Sequence, residues 1–159
     1  MLVLRAKERD MKEMVMKFGK RVSINCLPCV CIGIVYLWFG ALKFFPGVSP
    51  AETIALDTIS ELTLGIFTPK VAIILLAIWE TVIGFLLIVG LFNRVALNLA
   101  IVHMVLTFTP FLFFPELTFT EAPFGLTLLG QYIVKNIVFL AIMVFLISKE
   151  RKKNSSLIS

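Results

Sequence analysis

Residues 71–92, VAIILLAIWETVIGFLLIVGLF, decide the fold. The stretch is long enough to cross a hydrocarbon core of about 30 Å at 1.5 Å per helical residue, and its only ionisable residue is Glu80, near its centre. An acid at the middle of a spanning helix costs roughly 2.5–3.5 kcal/mol on insertion scales, so Glu80 is expected to face protein or trapped water rather than lipid. The remaining helices are therefore read for what they offer this carboxylate.

Three further stretches have the same character. With 71–92 they predict an all-α membrane protein, a four-transmembrane-helix bundle with spans at 24–45, 71–92, 95–115 and 126–148. Hydrophobic residues make up 59% of the 159 residues, well above the roughly 45–50% of soluble domains. Residues 1–23 form a cytoplasmic basic segment, 24–148 the bundle, and 149–159 a basic cytoplasmic tail. Of fifteen Lys and Arg, seven fall in residues 5–21, one is Arg94 between the second and third spans, and four follow Leu146, so twelve lie on one side. By the positive-inside rule that side is cytoplasmic, giving a multi-pass protein of the cell membrane with both termini inside. The net charge of +5 is thereby explained by topology, without nucleic acid. The first span lacks a small-residue cleavage site and is expected to stay attached.

Residues 2–20 read as an amphipathic helix, with Leu4, Met11, Met14, Val15 and Phe18 on one side and Arg5, Arg9, Lys12 and Lys20 elsewhere, suited to anionic lipid headgroups. In the outer loop 46–70, Ser49-Pro50-Ala51-Glu52 reads as a capping box opening a short helix, with Ala55, Ile59, Leu62 and Ile66 on its apolar side and Asp57, Ser60 and Glu61 on its polar side.

In the first span Cys26, Cys29, Gly33, Tyr36, Gly40 and Lys43 fall on one helical face, predicted to point inward, with Trp38 and Phe39 toward lipid. Ala77, Glu80, Thr81 and Gly84 share a face of the second span, and Ala96, Ala100, His103, Thr107 and Pro110 a face of the third. The fourth offers Thr127, Gln131 and Lys135, with Tyr132 and Asn136 one position round. Counting about 1.5 Å per residue from each span's centre puts Glu80 and Lys135 within about 3 Å of the midplane and Lys43 about 13 Å outside it. On that basis Glu80 pairs with Lys135, while Lys43 and Gln131 line the outer approach.

The segments Tyr36-Leu37-Trp38-Phe39-Gly40-Ala41-Leu42-Lys43-Phe44, Trp79-Glu80-Thr81-Val82-Ile83-Gly84 with Gly90-Leu91-Phe92-Asn93-Arg94, and Gly130-Gln131-Tyr132-Ile133-Val134-Lys135-Asn136 together resemble the DoxX family of small four-span membrane proteins. The resemblance covers about residues 24–148. It implies a four-helix membrane bundle, with relatives that include membrane subunits linked to thiosulfate:quinone oxidoreduction and to oxidative-stress complexes, and more distant ones that act as membrane chaperones. It supplies no catalytic motif to carry over.

Candidate chemistry rests on Glu80, Lys135 and His103, with Tyr36, Lys43, Gln131 and Asn136 completing a binding site for a quinone-like or small anionic ligand. The bland alternative is a structural ion pair that fixes helix order. Cys26-Leu27-Pro28-Cys29 matches a C-x-x-C redox pattern, yet it falls near the cytoplasmic end, where thiols stay reduced, and small soft side chains in a helix seam account for it equally. No metal site is expected, since joining this pair to His103 lacks a fourth ligand, and one histidine excludes two-histidine haem ligation within the chain. P-loop, dinucleotide-glycine and nucleophile-elbow motifs do not occur.

Three functions remain open: a membrane oxidoreductase subunit, quinone-linked; a non-catalytic scaffold or chaperone recruiting a partner protein; and a small proton-coupled transporter acting as a homo-oligomer.

Overall fold

The structure, a computed structural model, describes residues 27–155, with side chains to Lys149. The amphipathic helix expected over 2–20, Cys26 and the last four residues lie outside the described residues. The chain is mostly helical: α1 (Leu27–Leu42), α2 (Glu52–Leu62), α3 (Pro69–Val89), α4 (Asn93–Leu106), the single turns α5 (Pro110–Phe113) and α6 (Pro115–Thr118), strands β1 (Phe119–Glu121) and β2 (Gly125–Leu126), and α7 (Leu128–Ser155).

Three stretches are long and apolar enough to cross a membrane: α3, Asn93–Phe113 and Leu128–Lys149. The second of these is α4 continued through a break. Pro110 has no N–H to extend the α4 ladder; Thr107 N–H still bonds to His103 O as in an α-helix, and Phe108 and Thr109 close tighter turns back to Val105 and Leu106 before α5 begins. Apolar α1 is shorter, 16 residues or about 24 Å. The basic tail begins as helix, since α7 runs on to Ser155. Between α3 and α4 the turn is only three residues long. Gly90, at φ 75°, takes the left-handed conformation that ends α3, and Leu91 N–H turns back to Leu86 O, so the two helices fold into antiparallel neighbours.

The tightest helix pair is α1 with α3, and glycine makes it so. A Cβ added at Gly40 would lie 2.7 Å from Thr81 N and 2.9 Å from Glu80 Cβ; one at Gly33 would lie 2.9 Å from Gly84 O; one at Gly84 would collide with the Leu37 and Gly33 backbone. Small residues at these three positions let the backbones meet, and the contact fixes the register of the pair. The expected inward face of α1 is the buried one, with Cys29, Gly33, Tyr36, Gly40 and Lys43 all shielded, while Trp38 is 66% exposed.

At the end of the bundle remote from α2, Cys29, Ile32, Ile83, Leu87, Ala96, Leu97, Met143, Leu146 and Ile147 from all four long helices close into one apolar core. The outward surface carries Ile74, Ile78, Val82, Phe85, Val95, Val102, Val138 and Phe145, the apolar exterior that lipid, rather than water, would cover.

Two local expectations fail. The capping box does not form: the residue before α2 is Ala51 without a side-chain cap, Ser49 Oγ has no partner, and the Glu52 carboxylate instead accepts the Gly47 N–H at 2.8 Å. Thr58, bonded to Ile54 O, is the buried residue of α2, whereas Leu62 and Ile66 are exposed because the helix packs on the edge of α3 and on α5 rather than into the bundle. The segment between the spans expected at 95–115 and 126–148 holds a turn of helix and a short antiparallel hairpin pairing Phe119 with Leu126.

Candidate functional site

Glu80 stands on the buried face of α3 with Ala77 and Gly84, one helical turn apart on either side. Its partner is Lys43. The ammonium donates to Glu80 Oε2 at 2.6 Å, and the two side chains are 6% and 8% exposed. The expected pair with Lys135 is therefore wrong, and the reason is register. Span midpoints are not at one depth: the glycine contacts set Gly40 opposite Glu80, which is eleven residues, or about 16 Å, from the Pro69 end of α3. Since α1 stops two residues past Gly40, it ends roughly 13 Å short of that end of α3, and the turns of residues 43–51 with α2 fill the space beyond. Helical side chains lean toward their own N-terminus, so Lys43 reaches back along α1 to Glu80 and to Phe39 O at 3.4 Å.

The second neighbour of Glu80 comes from α4. His103 Nε2 lies 3.4 Å from Glu80 Oε1, a charge-type approach longer than a well-formed hydrogen bond. The other ring nitrogen, Nδ1, is 3.1 Å from the Tyr36 hydroxyl, which donates to Ala100 O at 3.0 Å. Tyr36 and His103 also meet edge to face, with ring centroids 5.5 Å apart. Lys43, Glu80, His103 and Tyr36 thus form one chain of contacts across three helices. The small side chains of Ala96 and Ala100, both fully buried, let α4 approach closely enough to complete it.

The protons in this chain can be counted. A neutral imidazole has one N–H, and a tyrosine hydroxyl has one proton to give. If Tyr36 donates to His103 Nδ1, then Nε2–H points at Glu80 and the carboxylate can be ionised. If Tyr36 donates to Ala100 O, as drawn, then Nδ1–H donates to the tyrosine oxygen, and the Nε2 to Oε1 contact needs one more proton, carried on either side. Moving from the first arrangement to the second takes up one proton at Glu80 and His103 and turns one hydroxyl. The same contacts thus admit two arrangements that differ by one proton.

The α7 residues fare differently. Its buried side is Gly130, Ile133, Met143, Leu146 and Ile147, with Asn136 at the seam donating to Thr107 Oγ1 at 3.1 Å, one turn from His103. Gln131 and Lys135 lie on the exposed side, and the Lys135 ammonium sits 5.1 Å from the centre of the exposed Tyr132 ring. A lysine whose stem can run along the helix toward its outer end has no need of an interior partner. The useful signal was the small residue: Gly130 marks the packed face, as Gly33, Gly40 and Gly84 do elsewhere. Cys29 is buried in the apolar core, with Cys26 outside the described residues. Among the described residues no three His, Cys, Asp or Glu gather as metal ligands. No protein family, curated protein or solved structure matches the chain.

Proposed function

We propose that the chain is a four-span membrane protein, with α1 as its first span and both termini cytoplasmic, acting as the membrane subunit of a redox system. In this reading the bundle binds a quinone-like or small anionic ligand at the Glu80–His103 contact and exchanges a proton with it. The observation that carries the reading is the buried chain of contacts Lys43–Glu80–His103–Tyr36; in this reading one proton has two resting places along it. Quinone reduction takes up protons together with electrons, and this chain's part is the protons; the electrons come from a partner subunit. Lys43 balances the Glu80 charge, so an added proton leaves the site with a net positive charge that favours an anion or an electron-rich carbonyl oxygen. The resemblance to DoxX proteins, read from Tyr36–Phe44, Trp79–Gly84 and Gly130–Asn136, supports the same class of system.

The test is to reconstitute the protein in nanodiscs and measure binding of a short-chain benzoquinone, together with mass spectrometry of molecules that co-purify. Saturable binding that weakens at least tenfold in Glu80→Gln is expected. Binding unaffected by Glu80→Gln and by His103→Gln would overturn the assignment.

A second reading is a scaffold or chaperone that recruits a partner protein. It is favoured by Gln131 and Lys135, polar groups on a side of α7 that no other element among the described residues covers. Cross-linking from Gln131→Cys to a second protein, with benzoquinone binding absent, would place it first.

A further inference from the structure

The end of α7 that starts at Leu128 carries polar groups on a side left open by the bundle. Gln131 and Lys135 are exposed, one helical turn apart, and Tyr132 beside them is 61% exposed. The Lys135 ammonium lies 5.1 Å from the centre of the Tyr132 ring, back toward the start of the helix, the direction in which helical side chains lean. Tyr132 is about 6 Å along α7 from Leu128. The apolar stretch Leu128–Lys149 is 22 residues, or about 33 Å, against a hydrocarbon core of about 30 Å. The charge therefore stands near the level where hydrocarbon gives way to headgroups, the depth at which tyrosine also collects. Among the described residues the ion pairs are those of Glu80 with Lys43 and His103, and neither reaches Lys135.

Beyond the lysine the same face turns apolar. Steps of 3, 4 and 3 lead from Lys135 to Val138, Ile142 and Phe145, and Val138 and Phe145 are 61% and 65% exposed. Lys135 and Phe145 are ten residues apart, about 15 Å, which is half of the hydrocarbon core. One lane of α7 thus joins a cationic, hydrogen-bonding head at the membrane boundary to an apolar track one leaflet deep.

We propose that this lane binds one anionic phospholipid, with its phosphodiester on the Lys135 ammonium and the Gln131 amide N–H groups and an acyl chain along Val138 and Phe145. Both side chains bring donors, and a phosphodiester brings acceptors and the opposite charge. A zwitterionic lipid carries its own ammonium beside the phosphate and gains less from a lone lysine. A second copy of the chain suits the lane poorly, because a two-fold contact through this face would set one Lys135 against the other. The inference stands apart from the buried Glu80 chain, and it holds whichever side of the membrane α7 starts from.

The experiment places the whole protein in phosphatidylcholine nanodiscs that contain a trace of phosphatidylglycerol with a photoreactive diazirine in its acyl chain. After irradiation, peptide mass spectrometry locates the adducts. Labelling is expected within residues 138–145, displaced by unlabelled phosphatidylglycerol, and at least fivefold weaker when phosphatidylcholine carries the same diazirine. Lys135→Met should lower labelling of 138–145 at least fivefold and Lys135→Arg should keep most of it. Labelling at Ile74 and Phe85, exposed on α3, should be the same in both variants as in the wild type, which shows the bundle intact. Equal labelling of 138–145 by the two probes, unchanged labelling in Lys135→Met, or a loss that extends equally to Ile74 and Phe85 would each overturn the proposal. So would cross-linking of Gln131→Cys to a second copy or to another protein in place of lipid labelling.

Discussion

Replacing Lys43 by Met and Glu80 by Leu, singly and together, measures the buried pair. Among the described residues, in Lys43→Met a carboxylate that is 8% exposed loses an ammonium at 2.6 Å and keeps the longer His103 approach at 3.4 Å, and in Glu80→Leu the ammonium, 6% exposed, keeps Phe39 O at 3.4 Å. Breaking a buried pair from one side costs about 3–5 kcal/mol, roughly two to four orders of magnitude in the folding equilibrium. Removing both partners abolishes the desolvation penalty together with the attraction, so the double variant should fall within about 1 kcal/mol of the wild type or exceed it. The coupling free energy of the cycle, the sum of the two single losses less the double loss, is then at least about 5 kcal/mol. Unfolding in mixed micelles, followed by helical circular dichroism, supplies the four values. Additive single effects would refute the reasoning, and so would a Lys135→Met variant that couples to Glu80→Leu as strongly as Lys43→Met does.

Gly40→Ala should destabilise the protein by about 1–3 kcal/mol, because its methyl would lie 2.7 Å from Thr81 N and 2.9 Å from Glu80 Cβ and force α1 away from α3; the same micelle titration reads it. Asn136→Leu combined with Thr107→Val should reveal a coupling of about 0.6–1.7 kcal/mol, the range of interhelical hydrogen bonds in membranes, and a coupling near zero would mean that α4 and α7 are not joined there. Lys135→Met alone should change stability by less than about 0.5 kcal/mol, as an exposed side chain stacked on Tyr132 contributes little.

The apolar stretches and the inward faces of α1, α3 and α4 were legible because helical periodicity places small and polar residues together: Gly33, Tyr36, Gly40 and Lys43, or Ala96, Ala100 and His103. Relative depth was not. Counting from span centres assumes that every helix is centred in the bilayer, whereas α1 is displaced along α3 by the Gly40 and Gly84 contacts, and this brings Lys43 rather than Lys135 to Glu80. On α7 polarity misled, since Gln131 and Lys135 were read as inward when Gly130 and Ile133 are the packed residues. The capping signature at Ser49 failed for a local reason, the competing bond from Gly47 N–H to Glu52. The buried contact chain was half visible: Glu80, His103 and Tyr36 stood out as candidates, but only the fold joins His103 Nδ1 to the Tyr36 hydroxyl and Nε2 to the carboxylate.

The chain contains a single histidine, so with a histidine-free purification tag the imidazole nitrogens give one pair of NMR signals. Nitrogen-15 spectra of the reconstituted protein therefore test the proposed proton exchange directly. Glu80→Gln should move the Nε2 signal and Tyr36→Phe the Nδ1 signal, and a short-chain benzoquinone should shift Nε2 in the wild type but not in Glu80→Gln. Nitrogen signals that ignore both substitutions and the quinone would contradict the claim that Glu80, His103 and Tyr36 share a proton.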